Sequence, residues 1–539
     1  MSSHDVIGLE SNYVLRPMLL LAAVLFCLYW LSTSTDIKRI RGLPQIPGAL
    51  PLVGHLLRLG DDHASACEKL WHQYKHSTFQ ICLGNTRVVV VNSFEDCRQM
   101  LIGNQSSVID RPTLHTVGVI ASTKGLTIGS SPWTDSTKRR RKAAGTTLGR
   151  ARLSNYYDVI DLESYCVVRD LEKNSQLGTV EVSVKHLMQR YALNTTLTLC
   201  YGIRMDAVYD DMLSEILEVG HAISLLRGAS ENFQDYVPMM RYFPNNEKDR
   251  RSRTLCARRD QYLESLLRTA KEKIEQGIAN DSVYAAVLKD EETPLSSDEI
   301  SSVCLSLVSG GFETVPGTLI SCIGSLSTQA GQGMQDEAYT DIKRYYSSSE
   351  DAWKASFEEE KVPYVNAIVK ETLRYYTVTP MNLPRKTIKD VNWKGSIIPA
   401  KTMVLLNTQA ANHDTSHFGP TAHNFDPKRW LDSDATVPIE RESAGLQHFG
   451  FGGGSRACPG MVIANRLLYT AIVRLITSYR IVASEEFPPT THYSDFNSTK
   501  SALVAIPKDF KVRLIPRDEG SLRMTLEQAK GRTEAEVGN

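Results

Sequence analysis

Four short stretches of this 539-residue chain hold residue types that do chemistry. The most informative is Phe451-Gly452-Gly453-Gly454-Ser455-Arg456-Ala457-Cys458-Pro459-Gly460. Glycines let a backbone loop come close to a metal centre. Backbone N–H groups aimed at sulfur tune its electron donation. Arg456, two residues before the cysteine, offers a cation to a carboxylate such as a haem propionate. A single thiolate in that setting fits the proximal ligand of a haem, where sulfur pushes electron density onto iron and favours O–O cleavage. The bland alternative is a buried cysteine in a glycine-rich turn.

The other three stretches are weaker alone. In Lys370-Glu371-Thr372-Leu373-Arg374, an acid and an arginine at i and i+3 share a helix face and can pair; an ordinary surface pair looks the same. In Phe425-Asp426-Pro427-Lys428-Arg429-Trp430, Arg429 can close a triad with Glu371 and Arg374, since buried arginine is costly without bidentate partners. Gly310-Gly311-Phe312-Glu313-Thr314 places two glycines inside a helical pattern, at about 1 kcal/mol each relative to alanine. Room for dioxygen or substrate against a haem face would offset that loss. Glu313 followed by Thr314 is an acid–alcohol pair able to relay protons, and Pro316 should kink the helix further.

The elements that must position these residues are mostly helical. Helices are expected over 297–328, 357–376 and 461–479, with a mainly helical region over 144–278. Residues 78–92 read as two strands around Gly84-Asn85, and Thr402-Met403-Val404-Leu405-Leu406 as another. The expectation is one large, mainly α domain with small β-sheets over 61–515. Before it lie an apolar N-terminal segment with a basic flank (1–41) and a proline-rich, semi-rigid hinge (42–60); after it comes a polar, frayed tail (516–539). The run from Met18 to Leu31, followed by Lys38, Arg39 and Arg41, predicts a single-pass membrane anchor with the bulk of the chain in the cytosol. A cleaved signal peptide and a core helix are the other readings of that run. Lys plus Arg equals Asp plus Glu at 61 each, so overall charge gives no pull towards nucleic acid. Ten cysteines without a C-x-x-C pair suggest neither zinc nor a redox disulfide.

In this order and spacing, the motifs resemble a membrane-anchored eukaryotic cytochrome P450, a haem-thiolate monooxygenase, over nearly the whole chain. The resemblance implies haem b with Cys458 as axial thiolate, Phe451 on the proximal face, and Arg456 and Arg385 at the propionates. It makes Glu371, Arg374 and Arg429 a structural triad, and Glu313 and Thr314 the proton-delivering pair. It also implies O2, a small apolar or aromatic substrate, an endoplasmic reticulum location, and electrons from NADPH-cytochrome P450 reductase, because no nucleotide fingerprint accompanies the glycines. One departure stands out: the family's Trp-x-x-x-Arg is here Trp133 followed by Thr137. Arg140, seven residues on, is the candidate substitute. The run from Lys138 to Lys142 is a candidate docking face for the reductase or simply a solvated basic surface.

Several stretches further resemble filamentous-fungal phenylacetate-type hydroxylases, which act on the ring of arylacetic acids. They include Trp133 to Lys142, Glu371 to Tyr376 and His448 to Gly452. A secondary-metabolite oxidase, a non-oxygenating haem-thiolate isomerase or dehydratase, and a haem-binding scaffold are the alternatives. The expected substrate lining includes the segment after Arg111, Ala222 to Arg227, Val308 and Phe312, and Pro380 to Leu383. Arg111 or Arg227 could hold a carboxylate there, or serve structure alone.

Overall fold

The computed structural model describes residues 17–24, 26, 34–120, 126–205, 210–226, 228, 232–242, 247–278, 281–431 and 446–537. The main helices are α1 (His63–Tyr74), α2 (Asp135–Thr147), α3 (Tyr157–Ser175), α4 (Lys185–Tyr201), α5 (Asp211–Leu225), α6 (Glu247–Glu275), α7 (Ser297–Ser327), α8 (Gln329–Tyr345), α9 (Pro363–Tyr375), α10 (Met461–Ser478) and α11 (Glu519–Val537). The strands are β1 (Thr78–Leu83), β2 (Thr86–Val91), β3 (Arg385–Lys386), β4 (Val391–Trp393), β5 (Ser396–Ile398), β6 (Met403–Leu406), β7 (Tyr479–Ala483) and β8 (Val512–Pro516).

One four-stranded sheet runs β1-β2-β6-β3, beside the two-stranded pairs β4-β5 and β7-β8. The expected hairpin is present: β1 and β2 pair antiparallel, with Leu83 opposite Thr86. Val88 to Val91 are all buried, because β2 also pairs in parallel with β6 and both its faces are covered. The hinge is not a free spacer. The Gln80 side-chain amide on β1 donates to the carbonyls of Ile40 and Leu43, and Ile40 and Ile46 are buried there.

Helix α7 is the axis of the molecule. A capping box starts it: the Ser296 hydroxyl accepts from Glu299 N and the Glu299 carboxylate accepts from Ser296 N. It remains one continuous helix across Pro316 and packs on α4, α8, α9 and α10. The two glycines have different reasons. A Cβ at Gly311 would come within 2.2 Å of Thr196 Oγ1 on α4, so this glycine sets how closely the two helices approach. Gly310 would meet nothing within 4 Å and borders open space. Thr196 cannot step aside without losing its 2.7 Å bond to the Ala192 carbonyl. Gly311→Ala is therefore expected to destabilise by about 1–3 kcal/mol. Gly310→Ala should leave stability unchanged or raised by about 1 kcal/mol, the helix-propensity gain. Thermal unfolding of the two haem-loaded variants checks this, and equal melting temperatures would refute it.

Two expectations need correction. Helix α9 starts at Pro363, a good first helical residue, so the preceding stretch from Phe357 is not helical with it. The tail is not frayed: α11 packs on α3 and buries Leu522 and Ala529, tertiary contact that overrides a polar composition. Among the described residues, two helices, α7 and α10, are long and apolar enough to cross a membrane, but both are mostly buried inside the protein and belong to its core. Much of the expected anchor lies outside the described residues. Its described part, residues 17–24, is helical, with Met18, Leu19, Leu20 and Leu21 exposed.

Candidate active site

Cys458 lies just before α10, in a loop fixed by its own backbone. Cys458 N donates to the Phe451 carbonyl at 2.9 Å and Ala457 N to the Gly454 carbonyl at 2.9 Å. Gly454 has φ +64°, and a Cβ there would come within 2.1 Å of the Leu101 carbonyl oxygen, so the turn admits only glycine. The thiol is enclosed by protein except where it opens onto an internal cavity of about 320 Å³. Burial pushes the thiol pKa up; the Gly460 backbone N–H and the Arg141 guanidinium pull the other way. Phe451, Ile463 and Leu467 line the sulfur side, and Gly310, Thr314 and Val315 of α7 line the opposite wall.

One edge of this cavity is strongly cationic. Arg456, Arg111 and Arg141 line it, with Arg385 buried behind them. Arg456 donates to the carbonyls of Ile109, Ile128 and Ser131, and its guanidinium lies 4.7 Å from the Trp133 ring centroid. Arg111 donates to the carbonyls of Gly129, Leu383 and Pro384. Arg385 Nη2 reaches the Gly453 carbonyl only at 3.4 Å, and its Nε is buried without a partner. Burial first, and then mutual repulsion, lower these groups: to about 9 for Arg385, to about 10 for Arg456, and well below the ordinary value for Arg111. Asp110 offsets part of this, but it also sits 3.7 Å from Lys386.

The site departs from expectation at Arg140 and Arg111. Arg140 does not enter the cavity. It donates to the Leu126 carbonyl, Thr137 Oγ1 and Ser302 Oγ, and so pins residues 126–131 to α7. Its neighbour Arg141 faces the cavity instead, 2.6 Å from the Ala457 carbonyl. Arg111, expected near substrate, belongs to the cationic edge. Arg227 lies outside the described residues. In the run from Lys138 to Lys142, only Lys138, Arg139 and Lys142 are exposed, and the first two are paired with Asp135 and Glu299.

The acid–alcohol pair is split. Thr314 lines the cavity, its hydroxyl donating to the Gly310 carbonyl at 2.6 Å. Glu313 turns away into an adjoining pocket, where its carboxylate is 2.9 Å from His221 Nδ1 on α5. The histidine side chain is 43% exposed and the glutamate 4%, so the pair links a buried acid to solvent. Neither motif spacing nor composition pointed to His221, 92 residues away.

The triad does form. Glu371 and Arg374 are fully buried and pair through two bonds of 2.7 and 2.9 Å, and Arg429 Nε reaches Glu371 at 3.1 Å. Trp430 Nε1 and Asp426 N also donate to Glu371, partners that its charge alone did not predict.

Haem fits this cavity. The Cys458 sulfur and the glycine face of α7 line the same cavity, Arg456, Arg111 and Arg141 supply cations at one edge for carboxylates, and the buried Arg385 behind them has an orphaned guanidinium nitrogen.

The cytochrome P450 family profile matches residues 44–513. Among relatives, phenylacetate 2-hydroxylase of Emericella nidulans is 42% identical over 515 residues, covering 95% of this chain and 97% of that protein. The 3-hydroxyphenylacetate 6-hydroxylase of the same organism is 35% identical over 95% of this chain and 97% of its own length. A cytochrome P450 monooxygenase of Mycosarcoma maydis, CYP3, is 32% identical over 98% and 96%. Cavity, triad and family profile agree, and the chain belongs to the cytochrome P450 family, as a haem-thiolate monooxygenase that uses O2 and a redox partner.

Proposed function

We propose that this monooxygenase hydroxylates the ring of a small arylacetic acid. The observation that carries this reading is end-to-end similarity to two arylacetate hydroxylases, at 42% and 35% identity. The cavities support it, with an apolar lining that includes Val308, Phe312 and Met381. Incubating the holoenzyme with phenylacetate, O2 and reductant should yield a ring-hydroxylated acid; absence of any phenylacetate-dependent product would overturn the reading.

When bound, haem supplies the activation of O2. The chain does the rest. Cys458 would hold the iron, Arg456, Arg385, Arg111 and Arg141 would neutralise the propionates, and Phe451 would pack on the sulfur side. Trp133 acts through Arg456, and Arg140 through residues 126–131, whose carbonyls orient Arg456 and Arg111. Glu371, Arg374 and Arg429 keep the segment before the cysteine loop in place. Thr314 would offer its hydroxyl to the cavity as a proton donor, and Glu313, bonded to the half-exposed His221, would hold a proton that can exchange with solvent. Thr314→Ala should lower product formed per reductant consumed by about tenfold or more, with peroxide released in its place and substrate affinity unchanged. Unaltered coupling would remove Thr314 from the relay.

Electrons would come from NADPH-cytochrome P450 reductase, docking on the sulfur side near Lys138, Arg139 and Lys142. The apolar residues exposed from Met18 onward support a single-pass anchor in the endoplasmic reticulum membrane.

A further inference from the structure

The surface around the β1–β2 turn deepens the membrane-anchor reading and rests on it. Asn85 Nδ2 donates to the Ser34 carbonyl at 2.7 Å and Asp36 N to the Asn85 carbonyl at 2.8 Å, so the chain that follows the apolar N-terminal segment is held at this turn. The turn also holds two other segments. Asn85 N donates to the Tyr236 carbonyl at 2.8 Å, and Gly84 N to the Val53 carbonyl at 3.0 Å. A Cβ at Gly84 would come within 2.2 Å of the Tyr236 carbonyl oxygen, which leaves no room for a side chain. Both segments expose apolar side chains: Leu50, Leu52 and Leu57 in one, and Met239, Met240 and Tyr242 in the other, the last 86% exposed. Exposed apolar residues are ordinary when scattered singly; grouped around one turn they mark a contact surface.

The second of these segments joins a basic helix face. Gln234 Nε2 donates to Asp249 at 2.8 Å and ties it to the start of α6. There Arg250, Arg251 and Arg253 are exposed, on the face opposite the buried Ser252, Leu255 and Cys256. None of the three guanidinium groups has a hydrogen bond or ion pair among the described residues. Arg241 is exposed too and donates to the carbonyls of Gln234 and Asp235. The acids of this stretch are Glu247 and Asp249, and Asp249 accepts from Gln234 and lies 4.0 Å from His115. A basic face alone would simply be solvated. Beside exposed apolar side chains it has the composition of a surface that lies in a bilayer interface.

We propose that residues 50–57, 238–242 and the first turns of α6 form a second membrane contact, one that recognises anionic phospholipid. Met239, Met240 and Tyr242 enter the boundary between headgroups and acyl chains, and Arg250, Arg251 and Arg253 fork onto headgroup phosphates. The cytosolic leaflet carries such lipids, and the proposed anchor holds the domain against it. The contact fixes the tilt of the domain about that anchor. It is separate from the basic surface near Lys138: α6 packs on α5, and Gly220 of α5 lies against Phe312 of α7, so α6 stands behind the wall that faces Cys458.

The test is hydrogen exchange of the full-length holoenzyme on vesicles of phosphatidylcholine alone and of phosphatidylcholine with about 30% phosphatidylserine. Exchange across residues 238–242 and 247–253 should be at least about tenfold slower on the mixed vesicles. Combining Arg250→Gln, Arg251→Gln and Arg253→Gln should abolish that difference, as should added salt, with haem content as in wild type. Equal exchange on the two kinds of vesicle, or slowing that persists in the triple variant, would overturn the lipid assignment and leave the anchor reading standing wherever the protein floats with phosphatidylcholine vesicles. Slowing produced by the reductase and not by phosphatidylserine would overturn it in favour of an acidic protein partner. Failure to float with either kind of vesicle would overturn anchor and surface together.

Discussion

Glu371→Gln is expected to yield a protein that does not hold haem and melts far below wild type. Glu371 is fully buried and accepts five hydrogen bonds, from Arg374 Nε and Nη2, Arg429 Nε, Trp430 Nε1 and Asp426 N. A glutamine amide has one acceptor oxygen and no charge, so a fully buried Arg374 loses its counter-ion. Breaking one side of a buried ion pair costs about 3–5 kcal/mol, against a whole-protein stability of about 5–15 kcal/mol. The loss does not stay local. Arg374 also donates to the carbonyls of Asn412, Ala422 and Asn424, tying three turns of the segment before the cysteine loop to α9. Arg374→Lys should fail in the same way, since an ammonium cannot span acid and carbonyls with a planar fork. Haem content and thermal unfolding measure this. A Glu371→Gln protein with full haem and a melting temperature within about 2 °C of wild type would show that the triad does not stabilise the fold.

The triad and the cysteine loop were legible in the sequence because local rules build them. An i, i+3 pair on a helix needs no knowledge of the rest of the chain, and a glycine-flanked cysteine announces a close backbone approach. The cationic edge was not legible. Trp133 and Arg140 do not share a helix, because α2 begins at Asp135, so their seven-residue spacing does not put them on one face. Adjacent helical residues differ by about 100° in direction, enough to turn Arg140 to Ser302 and Arg141 to the cavity. Arg111 meets its carbonyl partners 272 and 273 residues later, and Glu313 meets His221 across 92. Such contacts follow from how α5, α7 and the β3 segment stack, which periodicity does not encode. The tail shows the same limit: α11 is helical because α3 offers it a surface.

Cys458→Ser should abolish oxygenation while leaving the fold, and most of the haem affinity, in place. Everything that positions the loop is backbone: the bonds from Cys458 N to Phe451 and from Ala457 N to Gly454 survive the substitution. The cationic edge is equally independent of sulfur, since Arg456 and Arg111 are each held by three bonds to main-chain carbonyls. What disappears is the thiolate's electron donation, on which O–O cleavage by a haem-thiolate centre depends. Ring hydroxylation should fall at least about 10³-fold, equivalent to about 4 kcal/mol of barrier. The reduced, carbon monoxide-bound protein should also lose its thiolate-type Soret band. A variant that kept this band would move the ligand to another cysteine. The other described cysteines are buried, and none of them lines the haem cavity, so such a result would contradict the fold as well as the assignment. A variant that lost haem altogether would show instead that sulfur, not the arginine edge, anchors the group. Arg456→Met in the wild-type background then separates the two contributions, because it removes a cation but leaves the thiolate spectrum as its readout.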